Sequence, residues 1–122
     1  MDPFITFFNP GYVRYSLNDF SMNDFGSKEG KITHLTNNSV QKKHPEYKAR
    51  KGETISTLAE LADQLREESK VDDTEGFIEK ITGQMKEIMR LMFEEAKSGL
   101  MRKFGCFELL GFDFIIDDEL NL

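Results

Sequence analysis

The stretch FELLGFDFIID at residues 107–117 is mostly apolar and carries two carboxylates four residues apart, Asp113 and Asp117. In an extended strand the side chains alternate between two faces, so three bulky apolar side chains share one face and Asp113 lies on the other. The apolar face consists of Phe112, Phe114 and Ile116. A carboxylate in so apolar a run needs an ion partner, a metal ion or contact with solvent. Two interpretations of Asp113 follow: it faces solvent from a half-buried sheet, or it is a cation ligand on a rigid strand.

Composition narrows the class of protein. The 122 residues are enough for one small domain, and 39% hydrophobic against 31% charged residues predict a modest core. The net charge of -6 argues against a protein that coats nucleic acid. A single cysteine, Cys106, excludes an internal disulfide and fits a reducing compartment. No leader peptide and no apolar run near the roughly 18 residues of a membrane span is present, so we predict a cytosolic chain without membrane contact.

The two ends of the sequence predict a fragment. A strand-like run at residues 4–8 starts with almost nothing before it, and the turn-like residues 117–119 are followed by no second strand. A hairpin turn without its second strand would leave a sheet edge unpaired. We therefore expect residues 1–122 to be a fragment of one domain, truncated at both ends.

The N-terminal third predicts strands and loops. Residues 4–8 and 12–17 are rich in β-forming residues and flank a turn at 9–11, which together predict a hairpin. Residues 18–30 have a loop composition. Residues 31–40 open as a short strand and then become polar, and binding groups are often displayed at such a transition.

The remainder predicts two helices. The first would be capped by Thr54 or Ser56 and run to about Ser69. The second would run from a cap at Thr74 to about Lys103, with an apolar, methionine-rich stripe that either packs in the core or fits a partner's groove. With the strands, these helices predict an α+β fold. The segment at residues 41–52 is basic, and it is either a solvated loop or a binding patch. Its cations are Lys42, Lys43, Lys48, Arg50 and Lys51.

Familiar nucleotide, zinc and nucleophile patterns are missing. Neither a P-loop nor a dinucleotide-binding glycine motif occurs. Cys106, His34 and His44 are too few and too scattered for structural zinc, and no base is placed beside the cysteine. What remains is hard oxygen ligands and an arginine. Asp113 can ligate Mg²⁺, and the planar fork of Arg14 suits a carboxylate or a phosphate. Small polar groups follow the predicted strand at Thr36, Asn37, Asn38 and Ser39. These parts suit metal-assisted phosphoryl transfer.

Three motifs in order resemble the tubulin tyrosine ligase-like family. Residues 34–37 match its HLTN signature, followed by the string VQKK at 40–43. GYVR at 11–14 is similar to its preceding hairpin, and residues 107–117 are similar to its metal-binding strand, F-E-L-x-G-x-D-x-x-x-D. The resemblance covers nearly the whole chain. It implies the C-terminal portion of an ATP-grasp domain: a hairpin, two helices and the metal-binding strand.

The resemblance also implies an activity. Such ligases use ATP and Mg²⁺ to phosphorylate a carboxylate, and an amino group then attacks the acyl phosphate and joins an amino acid to tubulin. The partners implied are the acidic tubulin tails and free glycine or glutamate. The location implied is the cytoplasm and cytoskeleton, with a cilium or flagellum as a further possibility.

Carried over residue by residue, the resemblance implies that Asp113 binds Mg²⁺ and that Arg14 clamps the carboxylate of the amino acid. Thr36 and Asn37 would approach ATP. Asn38 and Ser39 would line the amino-acid pocket, Asp117 would be structural, and His34 would shape the site or pack.

Departures from the family pattern refine the expectation. Asn38 stands where glutamate-adding members usually have tyrosine, and residues 41–47 are more similar to the polyglycylase branch. We therefore expect glycine to be added, with a polyglutamylase and a non-catalytic tubulin-binding module as alternatives. The family's remaining metal ligands and its nucleotide-binding lobe lie outside these residues, so we expect no activity from this chain alone.

Overall fold

The computed structural model describes residues 5–23, 25–101 and 103–122. These residues form short and long helices and one small antiparallel sheet, as the α+β prediction requires. In chain order the elements are β1 (Val13–Arg14), α1 (Lys28–His34), α2 (Asn38–Gln41), α3 (Tyr47–Arg50), β2 (Ile55–Ser56), α4 (Leu58–Glu67) and α5 (Thr74–Ala96). The chain divides into two compact units. One is Gly11–Lys70, and the other combines the described residues before position 11 with those after position 70.

The predicted hairpin at residues 4–17 is wrong for the residues that the structure describes, while Phe4 lies outside them. Residues 5–8 form no β-ladder. Instead β1 pairs antiparallel with β2, with Val13 opposite Ser56 and Arg14 opposite Ile55. Gly11 does adopt the positive φ of a turn, +72°, but the turn leads into a strand whose partner lies some 40 residues along the chain. Pairing was therefore decided by long-range contacts and not by the adjacent apolar run.

The predicted strand opening at residue 31 is also wrong, because α1 occupies this segment. Ser27 caps the helix: its Oγ accepts a hydrogen bond from the Gly30 backbone N–H at 3.0 Å. A serine at the N-cap satisfies one of the helix's unpaired amides. This local start outweighs the β-propensity of Ile32 and Thr33, so the segment that precedes the HLTN residues is a helix.

Helix α4 begins one residue after Thr57, and not at a cap of Thr54 or Ser56 as predicted. Thr57 and Glu60 form a capping box in which each side chain accepts from the other's backbone N–H. The bonds from the backbone and side chain of Thr57 hold the pKa of Glu60 below its ordinary value. Leu58 and Ala62 are buried, so one face of α4 packs in the core.

Helix α5 confirms the long amphipathic prediction, with corrected ends. Asp73 caps it by accepting from the Gly76 N–H at 2.9 Å, so the cap is not Thr74. Phe77 and Ile81 are buried. The α-helix ends at Ala96 and continues only as a 3-10 turn, Lys97–Gly99, so it stops short of the predicted end at Lys103.

The stretch at residues 107–117 keeps its predicted alternation. Phe112, Phe114 and Ile116 are half-buried while Asp113 and Asp117 are exposed. The rings of Phe112 and Phe114 stack with centroids 6.2 Å apart, as side chains on one face do. The stretch pairs with no strand among the described residues, however, so the predicted strand is not formed as part of a sheet.

The C-terminal residues close a turn and return to α5. Asp117 Oδ1 accepts from the Asn121 N–H at 2.7 Å, and the Asp117 backbone bonds Leu120 and Asn121. The Leu122 N–H donates to Gln84 Oε1 at 3.1 Å, which ties this turn to the helix. Asp117 therefore closes this turn with both its side chain and its backbone. No helix in the described part of the chain is long and apolar enough to cross a membrane.

Candidate functional site

A depression of about 340 Å³ lies within the Gly11–Lys70 unit. Arg14 and Thr36, which the family resemblance assigned to the amino acid and to ATP, line it together although 22 positions separate them. The other lining residues are Tyr15, Ser16, Asn18, Phe20, Thr33 and His34. A guanidinium beside hydroxyl and amide groups gives this depression the donors that a carboxylate or phosphate group needs.

Arg14 is presented by the short sheet. Its backbone lies opposite Ile55, and the next residue extends the pairing because the Tyr15 N–H donates to Thr54 O at 2.9 Å. The Tyr15 hydroxyl lies 2.7 Å from Ser56 Oγ. Thr54 is buried at 5% exposure. The strand that carries Arg14 is thus fixed on both sides of the guanidinium-bearing residue.

Gln41 connects the Arg14 segment to the HLTN segment. Its side chain is fully buried, at 0% exposure, and within the described residues its side-chain hydrogen bonds all go to backbone atoms. Oε1 accepts from the Leu17 N–H at 3.0 Å. Nε2 donates to Ile32 O and Leu35 O, both at 2.7 Å. Leu35 immediately precedes Thr36, so one amide group sets the spacing between the two sides of the depression.

Arg50 also binds the backbone of Leu17, in the loop after β1. Its Nη1 donates to Leu17 O at 3.2 Å, while Glu46 and Glu53 pair with the guanidinium at 3.3 and 2.7 Å. The hydrogen bond from Arg50 keeps the pKa of Glu53 below its ordinary value. Arg50 is therefore a structural member of the basic segment, and its charge is already balanced.

A series of hydrogen bonds through His44, Asn18 and Thr33 lies at the edge of the depression. His44 Nε2 lies 2.9 Å from Asn18 Oδ1, and Asn18 Nδ2 donates to Thr33 Oγ1 at 3.1 Å. Thr33 Oγ1 in turn donates to Glu29 O at 3.2 Å. These bonds join the loop after β1 to helix α1 and to the segment between α2 and α3.

His34 both shapes the depression and packs, which covers the two roles that the sequence left open. Its ring stacks on Phe25 with centroids 4.4 Å apart and meets Phe20 edge-on at 5.7 Å. Its Nε2 is buried and has no hydrogen-bond partner among the described residues. The histidine of the HLTN motif thus forms part of an aromatic wall at the end of α1.

Three other predicted residues lie outside the depression. Asn37 is the N-cap position of α2 but makes no capping bond with its side chain. Asn38 Oδ1 accepts from the Tyr47 hydroxyl at 2.7 Å, so this amide is used to anchor α3. Asn37, Asn38 and Ser39 are all exposed. The structure brings Arg14 and Thr36 to one place and leaves these three on the adjoining surface.

Asp113 belongs to the other unit, where it is exposed. Across residues 5–23, 25–101 and 103–122, no group of three or more histidine, cysteine, aspartate or glutamate side chains could hold a metal ion. Mg²⁺ is bound through carboxylates with water and substrate phosphates completing its octahedron. These residues alone therefore do not fit a complete magnesium site.

The model of the tubulin-tyrosine ligase family matches residues 4–122. The chain belongs to this family. It is 33% identical to "Protein polyglycylase TTLL10" of Macaca fascicularis, over 98% of this chain and 19% of that protein. It is 31% identical to "Inactive polyglycylase TTLL10" of Homo sapiens, over 98% and 18%. It is 26% identical to "Probable tubulin polyglutamylase TTLL9" of Bos taurus, over 93% and 23%. No solved structure matches the chain.

Membership of the ligase family confirms the resemblance read from the three motifs, and the chain spans about a fifth of the length of these relatives. Sequence reasoning missed Asn18, Thr33 and Gln41. Gln41 stands in the VQKK string that marked the family, but nothing in that string indicates burial. Asn18 opens a polar run typical of a loop, and only the fold shows that it faces α1.

Proposed function

We propose that this chain is part of an ATP- and Mg²⁺-dependent ligase of the tubulin-tyrosine ligase family that adds glycine to tubulin. The observation that carries the proposal is the placement of Arg14 and Thr36 in one depression within the matched family region. Two of the relatives named above are polyglycylases by name, one of them inactive. The ATP-grasp fold, ATP, Mg²⁺ and tubulin all belong to this proposal.

In the proposed reaction ATP converts a carboxylate of the tubulin tail into an acyl phosphate. The amino group of glycine attacks the acyl carbon, an amide forms, and phosphate leaves. The guanidinium of Arg14 would bind the α-carboxylate of glycine through paired N–H bonds, which leaves the amino group unhindered as the nucleophile. Thr36 and Asn37 would approach ATP, with Asn38 and Ser39 at the outer side of the amino-acid pocket.

Asp113 would supply one Mg²⁺ ligand, and the remaining ligands would come from parts of the longer protein outside these 122 residues. A metal ion shared between segments requires all of them to be present. We therefore propose that the 122-residue chain alone transfers no amino acid to tubulin. Incorporation of radiolabelled glycine or glutamate by this chain alone would contradict this.

The full-length protein tests the proposal directly. Given ATP, Mg²⁺, tubulin and equal glycine and glutamate, it should modify tubulin mainly with glycine, as read by mass spectrometry of the tails. Arg14→Lys keeps the charge and loses the planar fork, so the KM for glycine should rise about tenfold or more. Arg66→Lys is the matched control, since Arg66 is exposed on α4, away from the lining of the depression, and its ion pair among the described residues is with Asp63.

Preference for glutamate would replace the glycylase by a polyglutamylase, the activity in the name of the TTLL9 relative. Equal KM values for Arg14→Lys and Arg66→Lys would remove Arg14 from the amino-acid site.

A second candidate is a tubulin-binding module without catalysis. Lys42, Lys43, Lys48 and Lys51 are exposed and form no ion pair with any residue that the structure describes. They form a basic surface on a chain of net charge -6, which suits an acidic polypeptide tail. Tubulin binding by the full-length protein without amino-acid transfer would favour this candidate.

A further inference from the structure

The hydrogen bonds of His44 define which ring nitrogen carries the proton. The Glu46 backbone N–H donates to His44 Nδ1 at 3.1 Å, so Nδ1 has no hydrogen. In the neutral ring the hydrogen is therefore on Nε2. Nε2 must then donate to its partner 2.9 Å away. That partner is Asn18 Oδ1, an amide oxygen, which can accept the bond.

The hydrogen bond on the other side of the amide, between Asn18 and Thr33, gives the same orientation for Asn18. Thr33 Oγ1 donates its hydrogen to Glu29 O, so it can only accept from Asn18, and it faces the nitrogen Nδ2 at 3.1 Å. A flipped amide would place two donors against each other at His44 and two acceptors against each other at Thr33. Asn18 is therefore locked with its oxygen toward His44 and its nitrogen toward Thr33.

One hydrogen of this locked amide is left over. Nδ2 carries two hydrogens, and only the bond to Thr33 uses one among the residues that the structure describes. The neighbouring hydroxyl groups are already committed, since Ser16 donates to Ile32 O and Thr33 to Glu29 O. Asn18 is half-buried and lines the depression with Arg14. It therefore adds an oriented donor to the same depression.

We propose that Asn18 Nδ2 donates a hydrogen bond to the carboxylate of the amino acid held by Arg14, and that His44 is a positioning residue that keeps the amide from flipping. This inference rests on the proposed role of Arg14. A carboxylate accepts about four hydrogen bonds, so a bidentate arginine leaves acceptor sites for a further donor. The two donors come from one short segment, four residues apart, whose position Gln41 and Arg50 fix through Leu17.

Asn18→Asp tests the donor in the full-length protein. The substitution is nearly isosteric, but it replaces an N–H by a carboxylate oxygen that repels the ligand. The KM for glycine should rise about 10- to 100-fold, the size expected for a hydrogen bond to a charged group, while the KM for ATP stays unchanged. Asn23→Asp is the matched control, since Asn23 is exposed and lies outside the depression. Equal KM values for the two variants would overturn the inference.

His44→Gln and His44→Leu test the positioning role. Glutamine can present an N–H to Asn18 Oδ1 as the imidazole does, whereas leucine cannot, and both lose the acceptor for the Glu46 N–H. We expect His44→Leu to raise the KM for glycine several-fold and His44→Gln to restore most of the affinity at equal Tm. Equal KM values for the two variants would contradict a role for His44 through the Asn18 amide.

Binding without turnover separates this inference from the proposed function. Equilibrium dialysis of radiolabelled glycine against the full-length protein needs no tubulin and no catalysis. Binding by the wild-type protein that is weakened in Asn18→Asp supports the inference even if no glycine reaches tubulin, in which case the proposed function fails by itself. Binding that is unchanged in Asn18→Asp, or absent from the wild-type protein, overturns the inference.

Discussion

Gln41 shows how much one buried side chain contributes to this small unit. It is fully buried and makes three hydrogen bonds, which connect the loop after β1 with the end of α1. A buried polar group is tolerated because each of its hydrogen-bonding atoms is satisfied. The positions of both Arg14 and Thr36 depend on this amide, although it lies outside the lining of the depression.

Gln41→Leu should lower the free energy of unfolding by about 3 kcal/mol. The buried Leu17 N–H and the partly buried Leu35 O would lose their partner, and a buried unsatisfied group costs about 1–3 kcal/mol. Ile32 O keeps a bond from Ser16 Oγ. Urea denaturation of the 122-residue chain gives the change. Hydrogen exchange should also accelerate at the Leu17 amide.

Gln64→Leu is the control for this measurement, because Gln64 is exposed on α4 and its side chain, among the described residues, accepts one long bond from Tyr15, at 3.3 Å. Its effect should stay within about 0.5 kcal/mol. If the two leucine variants were equally stable, Gln41 would not connect the segments as described.

At the scale of elements, periodicity predicted the two long helices, α4 and α5, well, but it predicted α1 and the strands poorly. The buried faces of α4 and α5 follow from apolar residues three and four positions apart, a pattern that needs no knowledge of the rest of the fold. The pairing of β1 with β2 joins positions about 40 residues apart, and no local pattern encodes that distance. The capping residues were predicted wrongly for a different reason. Several threonines, serines and aspartates lie near the start of each helix, and only the geometry selects Thr57 and Asp73.

The cap of α4 leads to a prediction at this scale. Thr57→Ala removes the acceptor for the Glu60 N–H and should lower the free energy of unfolding by about 1 kcal/mol. Thermal or urea unfolding measures it. Thr74→Ala is the matched control, since Thr74 lies next to a cap that Asp73 supplies. A larger loss from Thr74→Ala than from Thr57→Ala would show that the caps are assigned wrongly.

Asp113 shows how far the site could be predicted. Its polar face follows from alternation alone, and the structure confirms this exposure. Its role as a Mg²⁺ ligand came from the family resemblance and stays a prediction, because the other ligands are not among these residues. Arg14 and Thr36 were likewise chosen by motif. Their meeting in one depression depends on Gln41, whose burial no sequence pattern indicated.

At the scale of the whole molecule, charge is unevenly distributed. The chain is acidic overall, yet the segment around α2 and α3 presents Lys42, Lys43, Lys48 and Lys51 to solvent. Arg50 does not add to this surface because Glu46 and Glu53 neutralise it. A surface of this kind attracts an acidic tail over about a Debye length, roughly 8 Å at physiological salt.

Replacing these four lysines by alanine should weaken the binding of the full-length protein to tubulin and make the binding less sensitive to salt. Co-sedimentation with microtubules across a salt series measures both. The control replaces four other exposed lysines, which keeps the net charge equal: Lys28, Lys31, Lys80 and Lys103. If both quadruple variants lost the same affinity, the effect would be due to net charge and not to this surface.

In the part of the chain that the structure describes, the side-chain bonds of Gln41 end on main-chain atoms, the N–H of Leu17 and the carbonyls of Ile32 and Leu35. Every amino acid except proline offers the same N–H, and every amino acid offers the same carbonyl. A combinatorial library randomised at positions 17, 32 and 35 should therefore return many folded clones with varied side chains, limited mainly by size and polarity at position 17. A library randomised at position 41 should return glutamine almost alone.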